Sequence, residues 1–265
     1  MINKKFAIIG YGNMAGAIFG GAIKKGLIDG ANLYAFDPSD VAREKMKADG
    51  INVAGSGAEA CEMADIVFLS VKPQYAEAAI SECGDKINNK SVFSIMAGLS
   101  VERIKKLIQG NARVLRVMPN TPALVFEGAF ALVSDTDITE EEKTIAEELF
   151  SALGLITWVE ERLIDAVCGL SGGGPAWVAM FIEAMVDAGV GQGLPRKVAS
   201  DLTIQTVLGS AKLLLETGMH TAALKDMVTS PGGTTIEGCK VLEEAGFRGG
   251  IMDCVEAATE KSKAL

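Results

Sequence analysis

Histidine is almost missing from this sequence of 265 residues, since His220 is the single example. Catalytic systems that pair serine or cysteine with histidine, and metal sites built from several histidines, are therefore nearly excluded, and no metal site is expected. The five cysteines, at positions 61, 83, 168, 239 and 254, form no CxxC motif, which argues against a disulfide framework and favours a reducing cytosol. Any catalysis should therefore take its reactive centre from a cofactor.

Positive charge and long apolar runs are also scarce. The net charge is −9 and the isoelectric point is near 4.8, so we expect no nucleic-acid partner. The longest uncharged stretch, residues 166–182, is interrupted by Gly-Gly-Gly-Pro, and the apolar run after Lys5 is too short for a signal peptide. These patterns predict a cytoplasmic protein without a membrane span.

Short apolar runs alternate with helical patterns over the first 160 residues. Strands are predicted at 5–10, 32–37, 65–71, 91–98, 112–119, 129–134 and 155–159. Helices are predicted near 13–25, 39–49, 57–63, 75–82, 101–108 and 139–152. Strands separated by helices of this length are typical of a parallel sheet, so an α/β dinucleotide-binding domain of the Rossmann type is expected over residues 1–160.

The pattern typical of strands disappears after residue 160. Helices are predicted at 174–193, 195–218, 235–245 and 248–262, which gives an all-helical domain over residues 161–265. The first of these helices is apolar on nearly every side and must be buried, yet a domain of this size has little interior. We therefore expect a dimerisation domain with an extensive subunit interface, although a compact monomeric bundle remains an alternative.

A glycine-rich motif, Gly10-Tyr11-Gly12-Asn13-Met14-Ala15, follows the first predicted strand and opens a helix. In this GxGxxA pattern Gly10 permits a tight turn, Gly12 lets the backbone approach a pyrophosphate, and Ala15 keeps helix and strand close. The helix N-terminus, where Asn13 and Met14 lie, supplies partial positive charge for the phosphates. The motif predicts a nicotinamide dinucleotide as the cofactor.

Asp37 ends the second predicted strand, where an acid accepts hydrogen bonds from the adenosine ribose and repels a 2′-phosphate. It therefore favours NADH. Ser39 and Arg43 follow closely and could instead hold the additional phosphate of NADPH, so both cofactors stay open.

Two further strand ends fall at the carboxyl edge of the sheet, where ligands bind. One places Val71, Lys72 and Pro73 there, and the other places Asn120 there. Lys72 could position ribose or carboxamide or act as a catalytic cation, but a solvated lysine is an equal alternative. Asn120 is expected to cap a turn and also to contact the cofactor.

A second glycine-rich segment, Ser-Pro-Gly-Gly-Thr-Thr, spans residues 230–235. Thr234 and Glu237 fit a capping box with Thr234 as the N-cap, which would leave the hydroxyl of Thr235 free. Gly232 and Gly233 expose N–H groups without an obstructing Cβ. Because the first motif already takes the cofactor phosphates, this segment should bind a small substrate carboxylate. A plain Pro-Gly turn is the alternative.

Several motifs together resemble the pyrroline-5-carboxylate reductase family, in the family's order and across nearly the whole chain. They are IIGYGNMAGAI, FLSVKPQ, SIMAGLS, RVMPNTPALVFEGA, LIDAVCGLSGGGPAWV, GLPRKVA and VTSPGGTTIEGCKVLEEAGFR. The resemblance implies a Rossmann domain plus a helical dimerisation domain, with helices of two subunits interleaved and both chains contributing to the substrate site. It implies homodimers that often assemble further, and reduction of a cyclic imine to L-proline with NADPH or NADH.

The resemblance also implies roles for individual residues. The substrate carboxylate should be held by Ser230, the backbone of Gly233 and Thr234, and the Thr235 hydroxyl should lie near the ring nitrogen. We take Thr235 and Lys72 as the catalytic candidates, with Thr235 steadying the protonated imine. The cofactor and nicotinamide region should be lined by Lys72, Pro73, Ala97, Gly98 and Asn120.

The chain is expected to depart from the family's usual residues at Gly173, Cys168, Cys239 and Gly57, positions that bear on loop hydrogen bonding and cofactor affinity. His220 lies in a segment that varies in the family and is interpreted as a surface residue.

Two alternative functions remain. A related imine or β-hydroxyacid reductase of the same architecture would need a proton donor, usually a lysine on the helical domain, and the candidates are Lys197, Lys212 and Lys225. A non-catalytic dinucleotide-binding regulatory protein is the other.

Overall fold

The computed structural model describes residues 1–264. Contacts divide the chain into two compact units. The first unit comprises Met1–Gly173 together with the C-terminal residues from Ala257, and the second unit comprises Gly174–Glu256. The domain boundary after residue 160 stays a prediction.

The first unit contains one sheet. Its strands are β1 Phe6–Ile9, β2 Leu33–Phe36, β3 Asn52–Val53, β4 Ile66–Leu69, β5 Ser91–Ser94, β6 Arg113–Met118, β7 Gly128–Val133 and β8 Gly154–Val159. Their order is β3-β2-β1-β4-β5-β6-β7-β8, with β7 antiparallel to β6 and all other neighbours parallel. Every predicted strand is present. The strand β3 was not predicted because two residues are too short for a periodic pattern.

The helices are α1 Asn13–Lys24, α2 Asp40–Ala48, α3 Gly57–Glu62, α4 Ala76–Cys83, α5 Val101–Ile108, α6 Glu140–Ser151, α7 Ile164–Val167, α8 Gly174–Gly191, α9 Arg196–Thr217, α10 Thr221–Val228, α11 Thr234–Glu244 and α12 Phe247–Lys263. All predicted helices are present. The short helices α7 and α10 were not predicted. The α/β fold, with strands confined to the part of the chain before residue 160, is confirmed.

Both faces of the central strands are covered, as a parallel sheet requires. All four residues of β1 are buried, and so are all four of β4. On one face Phe6 and Phe68 pack edge-on against Phe19 of α1, with ring centroids 5.5 and 4.9 Å apart. On the other face Ile80 and Cys83 of α4 join a second apolar cluster. The sheet is therefore a rigid platform between two layers of helices.

The strand order reverses beside β1, which pairs with β2 on one side and with β4 on the other. The last residue of β1, Ile9, lies opposite Phe36 of β2 and Leu69 of β4. The three carboxyl ends therefore meet at one point of the sheet edge. In open parallel sheets such a switch point is the place where ligands bind.

The second unit is helical and leaves much of its apolar surface open. The helix α8 buries Val186, whereas Met180 is 64% exposed and Leu215 of α9 is 78% exposed. The stretch Glu161–Gly191 also has the length of a membrane span, and an 18-residue window within it has a mean hydropathy of 1.2. Core helices of soluble proteins pass the same test, so the expectation that residues 166–182 do not span a membrane stays a prediction.

Candidate functional site

The first glycine-rich motif forms the turn between β1 and α1. Gly10 has a φ of +90°, and a Cβ at this position would lie 2.8 Å from Cγ1 of Val71. Gly12 is the N-cap of α1 and carries no capping side chain, and a Cβ built on it would meet nothing within 4 Å. The space in front of the first turn of α1 is therefore open and faces free N–H groups. These features fit the pyrophosphate of a dinucleotide.

Asp37 holds this turn in place. Its Oδ2 accepts a hydrogen bond from the Tyr11 N–H at 2.9 Å, and its Oδ1 accepts one from the Ser39 N–H at 2.9 Å. Arg43 Nε donates to the Asp37 carbonyl at 3.1 Å. The sequence pattern predicts a ribose contact for Asp37, and the structure adds this second task of anchoring the backbone. Each carboxylate oxygen keeps a further lone pair for a ligand.

Tyr11, the residue between Gly10 and Gly12, has a structural role. Its side chain is 1% exposed, and its hydroxyl donates to Asp49 Oδ2 at 2.8 Å. Burial, together with the hydrogen bond to Asp49, raises the pKa of the Tyr11 hydroxyl, which stays protonated. The tyrosine thus ties the glycine-rich turn to the end of α2.

A cavity of about 540 Å³ opens at the switch point. Among the predicted cofactor residues it is lined by Gly10, Gly12, Asp37, Val71 and Lys72. The cavity wall also includes residues without a predicted role. They are Ile9, Phe36, Pro38, Ser70, Tyr75, Ala78, Ala79 and Glu82.

Four of these additional residues share one side of α4 and its preceding turn. Positions 75, 78, 79 and 82 follow the i, i+3, i+4, i+7 spacing of a single helix face. That spacing is a signal from which these residues could have been predicted. In the sequence alone, however, a Tyr-Ala-Ala-Glu face cannot be distinguished from an ordinary solvent-facing helix surface.

The remaining predicted cofactor residues lie outside the cavity lining. Ala15 is fully buried and packs in the core, which agrees with its expected role between helix and strand. The others in this group are Asn13, Met14, Ser39, Pro73, Ala97, Gly98 and Asn120. Their contacts with a cofactor stay predictions.

Asn120 is committed to contacts within the first unit. Its Oδ1 accepts a hydrogen bond from the Ala129 N–H at 2.8 Å, and its Nδ2 donates to the Ser171 carbonyl at 3.2 Å. Ser171 lies in a π-helical turn, Cys168–Gly172, that precedes α8. The asparagine therefore positions this turn against the end of β6, and such π-helical turns are frequent at functional sites.

A partly buried ion pair lies at the end of the segment between β5 and α5, which contains Ala97 and Gly98. Arg116 of β6 is 7% exposed, and its guanidinium lies 3.1 Å from Glu161 Oε1. The same oxygen accepts a hydrogen bond from the Val101 N–H at 2.7 Å, at the start of α5. Glu161 thus connects β6 with the end of this segment. This pair was not predicted, because its partners are far apart along the chain.

The second glycine-rich segment differs from the prediction at the start of its helix. The predicted capping box is wrong: the N-cap of α11 is Gly233, and Thr234 is the first helical residue. The reason is the preceding turn, in which Gly232 has a φ of +67° and the Gly233 N–H donates to the Ser230 carbonyl at 3.0 Å. This turn starts the helix one residue earlier than a threonine cap would.

The consequence is a helix N-terminus without a capping side chain. Within residues 1–264 the hydroxyls of Thr234 and Thr235 have no hydrogen-bond partner, and both residues are exposed. A Cβ on Gly233 would lie 2.3 Å from Ser230 Oγ, so the serine hydroxyl stands beside the cap. The segment therefore brings Ser230, Gly233 and both threonines to one helix end, an arrangement that suits a carboxylate.

The candidate proton donors of a hydroxyacid reductase are engaged elsewhere. Lys197 pairs with Asp201 at 2.8 Å, and Lys212 pairs with Glu216 at 3.6 Å. Lys225 pairs with its neighbour Asp226 at 3.0 Å. These are ordinary surface ion pairs, and each lysine side chain is at least two-fifths exposed.

His220 is the N-cap of α10. Its Nδ1 accepts a hydrogen bond from the Ala222 N–H at 3.2 Å, and the residue is exposed. The single histidine therefore has a local structural task. Its interpretation as a surface residue agrees with this position.

Comparison with known proteins covers both units. The family model described as pyrroline-5-carboxylate reductase dimerisation matches residues 161–265, and the one described as NADP oxidoreductase, coenzyme F420-dependent, matches residues 5–98. The chain is 44% identical to the pyrroline-5-carboxylate reductase of Methanosarcina acetivorans, over 100% of this chain and 99% of that protein. It is 41% identical to the enzyme of that name from Escherichia coli, with the same shares covered.

A solved structure gives the same result. The pyrroline carboxylate reductase of Plasmodium falciparum, with NADP bound, superposes with a TM-score of 0.90 at 33% identity, covering 100% of this chain and 98% of the other. The resemblance that the motifs indicate is thereby confirmed over the full length. With its glycine-rich cofactor turn, its switch-point cavity and its open α11 terminus, the chain belongs to the pyrroline-5-carboxylate reductase family.

Proposed function

We propose that this protein reduces 1-pyrroline-5-carboxylate to L-proline with a nicotinamide dinucleotide as the reductant. The observation that carries the proposal is the open N-terminus of α11, where Gly233 replaces a capping side chain and two threonine hydroxyls stay unpaired within the described part of the chain. A small carboxylate matches these donors in size and charge. The relatives from M. acetivorans and E. coli, which match over the full chain, carry the same activity in their names.

Each residue of the segment has a defined task in this proposal. Ser230, the Gly233 N–H and Thr234 hold the substrate carboxylate. The Thr235 hydroxyl accepts a hydrogen bond from the protonated ring nitrogen and so stabilises the protonated imine. Protonation makes the C=N carbon a better electrophile than in the neutral imine. The bound nicotinamide supplies the hydride. The protein's own contribution is to orient the ring and exclude water, since such chemistry needs no strong general base.

Lys72 is the cation assigned to the cofactor side. Lys72 lines the switch-point cavity, and its ammonium has no ion-pair partner among residues 1–264. An unpaired cation at this edge suits the ribose or carboxamide of the cofactor. The lysine therefore positions the dinucleotide in this proposal and takes no proton from the substrate.

NADH is the preferred cofactor in this proposal. Asp37 lines the cavity, and a 2′-phosphate bound beside it would meet its negative charge. Arg43 would instead favour NADPH by binding the 2′-phosphate, but its Nε already donates to the Asp37 carbonyl. The solved relative from P. falciparum has NADP bound. We therefore expect the residues around Asp37 to give the two proteins different cofactor preferences.

A homodimer in the cytoplasm completes the proposal, with no membrane or nucleic-acid partner. Exposed apolar residues such as Met180 and Leu215 need a cover that a second copy would supply. Light scattering after size exclusion should give at least twice the monomer mass of 27.7 kDa. A monomer mass at micromolar concentration would refute this part.

The direct test is a steady-state assay with 1-pyrroline-5-carboxylate, run with NADH and NADPH in parallel and with proline as the measured product. Turnover with a higher kcat/KM for NADH supports both parts of the proposal. Turnover with NADPH favoured supports the reaction and overturns the cofactor preference. Dinucleotide binding without turnover, on this substrate and on linear or six-membered imines, would instead support a regulatory protein.

A further inference from the structure

One wall of the switch-point cavity is a single helix face with an unusual combination of side chains. It consists of Tyr75, Ala78, Ala79 and Glu82, at successive turns of α4 and the residue before it. We call these four residues the α4 wall. The α4 wall offers an aromatic ring at one end, two methyl groups in the middle and a carboxylate at the other end.

The position of the α4 wall relates it to one part of a dinucleotide. Gly10 and Gly12 mark the pyrophosphate end of the cavity, and Asp37 marks the ribose. The next group along the ligand is the purine base. Among the other lining residues, the α4 wall is the part that forms one helix face, and apolar Phe36 and Pro38 line the same cavity.

The middle of the wall suits a flat ring. Ala78 and Ala79 carry the smallest side chains that still present an apolar surface, so a planar base can approach the helix closely. Tyr75 is 59% exposed and has no stacking partner among the described aromatic residues. An exposed aromatic ring beside an apolar slot can stack on a base.

The far end of the wall carries an unpaired acceptor. Glu82 has neither an ion pair nor a hydrogen bond within residues 1–264. Gly57 faces it, and a Cβ at this glycine would lie 3.0 Å from Glu82 Cγ. The glycine thus leaves room for the glutamate in its present place. An ionised carboxylate can only accept hydrogen bonds, so it selects a donor on the ligand.

We propose that the α4 wall recognises the adenine base of the cofactor, with Tyr75 stacking on the ring and Glu82 accepting a hydrogen bond from its 6-amino group. The inference rests on the proposed use of a dinucleotide in this cavity. Adenine offers an amino donor at position 6, whereas hypoxanthine offers a carbonyl acceptor there, which the carboxylate would repel. The wall is therefore a base-specificity element.

The test measures binding without turnover. Isothermal titration calorimetry of the full-length protein would compare NAD⁺ with nicotinamide hypoxanthine dinucleotide, which differs at position 6 of the purine and in the proton at N1. The wild type is expected to bind NAD⁺ about tenfold more tightly than the hypoxanthine analogue. Glu82→Gln should bring this ratio close to one, since an amide can also donate to a carbonyl.

Glu77→Gln is the matched control, because Glu77 lies on the same helix outside the cavity lining. It should keep the wild-type ratio. Tyr75→Ala should weaken both dinucleotides about equally, by roughly tenfold, and Tyr75→Phe should restore the affinity. Thermal unfolding of each variant would identify any loss caused by misfolding.

The outcomes separate the inference from the function on which it rests. If the wild type binds neither dinucleotide, the cavity is not a dinucleotide site and both fail. If both bind but Glu82→Gln keeps the wild-type ratio, the assignment of Glu82 to the 6-amino group is wrong while the dinucleotide site stands. An equal loss for both ligands in Glu82→Gln would place the carboxylate on the ribose instead and would also overturn the inference.

Discussion

Gly57 and Glu82 face each other between α3 and α4, so that a Cβ on the glycine would lie 3.0 Å from Cγ of the glutamate. Gly57 is one of the positions predicted to depart from the family's usual residues. In the structure this position adjoins the switch-point cavity, which Glu82 lines. The missing side chain at residue 57 and the position of the carboxylate therefore depend on each other.

The first prediction follows from this contact. Gly57→Ala should push Glu82 away from its place, because the new methyl group also comes within 3.4 Å of the Glu82 backbone. We expect the Kd for NAD⁺ to rise by roughly threefold to tenfold, with a small change in Tm. Calorimetric titration and a thermal melt on the same sample would check both, and unchanged affinity would show that the contact relaxes without consequence.

Gly12 and Gly10 provide a matched pair in the cofactor turn. Gly12→Ala places a methyl group in the open space where phosphate should bind, so we expect cofactor affinity to fall at least about tenfold with little loss of stability. Gly10→Ala forces a φ of +90° on alanine and a contact at 2.8 Å, which should cost on the order of 1–3 kcal/mol of stability. Denaturant titrations and NAD⁺ binding would separate the two effects. Equal stability losses in both variants would contradict the assignment of open space at Gly12.

Cofactor preference should respond to the charge of Asp37. Asp37→Asn keeps an acceptor oxygen for the Tyr11 or Ser39 N–H but removes the negative charge, so the ratio of kcat/KM for NADPH over NADH should rise by about tenfold. Glu44→Gln on α2 removes the same charge outside the cavity and should leave the ratio unchanged. A ratio that moves equally in both variants would indicate a general field effect.

Thr235 is the position for a test of the substrate assignment. Thr235→Val removes the unpaired hydroxyl and keeps the shape, so kcat/KM for 1-pyrroline-5-carboxylate should fall by about 10- to 100-fold while Kd for NAD⁺ stays constant. Thr144→Val on α6, whose hydroxyl donates to the Glu140 carbonyl, is the control and should keep full activity. Wild-type kcat/KM in Thr235→Val would refute the proposed role.

The pH dependence of stability should depend on Glu142. Burial alone would raise the pKa of Glu142, but hydrogen bonds from Arg113 and from the Thr139 N–H hold this pKa below its ordinary value of 4.5. A lowered pKa in the folded state means that the stabilisation is present above pH 4.5 and is lost as the pH falls through the folded-state pKa.

Glu142→Gln should therefore be less stable than the wild type at neutral pH, and the difference should shrink in acid. Denaturant unfolding at pH values between about 7 and about 3 would measure it. Glu148→Gln on the same helix, where the described residues offer no partner, should show no such pH-dependent difference. A difference for Glu142→Gln that stays constant with pH would assign the effect to packing.

The strands, the longer helices and the cofactor turn could be predicted from local sequence. Apolar runs such as residues 6–9 give strands, and glycines at 10 and 12 give the turn, because these patterns act through the backbone conformation of a few neighbouring residues. The prediction from local sequence was wrong for the start of α11, because a turn just before the helix determines where it begins. Thr234 does not cap α11, since the turn closed by Ser230 and Gly233 starts the helix first.

The sequence by itself therefore determined the order of elements, the dinucleotide motif and the family of this protein. Only the tertiary structure decided that Asp37 anchors the glycine-rich turn through Tyr11, that Arg116 meets Glu161, and that Glu82 lines the switch-point cavity beside Gly57. The physical reason is distance along the chain. Hydrogen bonds and van der Waals contacts act over a few ångströms. Residues separated by tens of positions come within that distance only in the folded structure, where the strand order of the sheet brings them together.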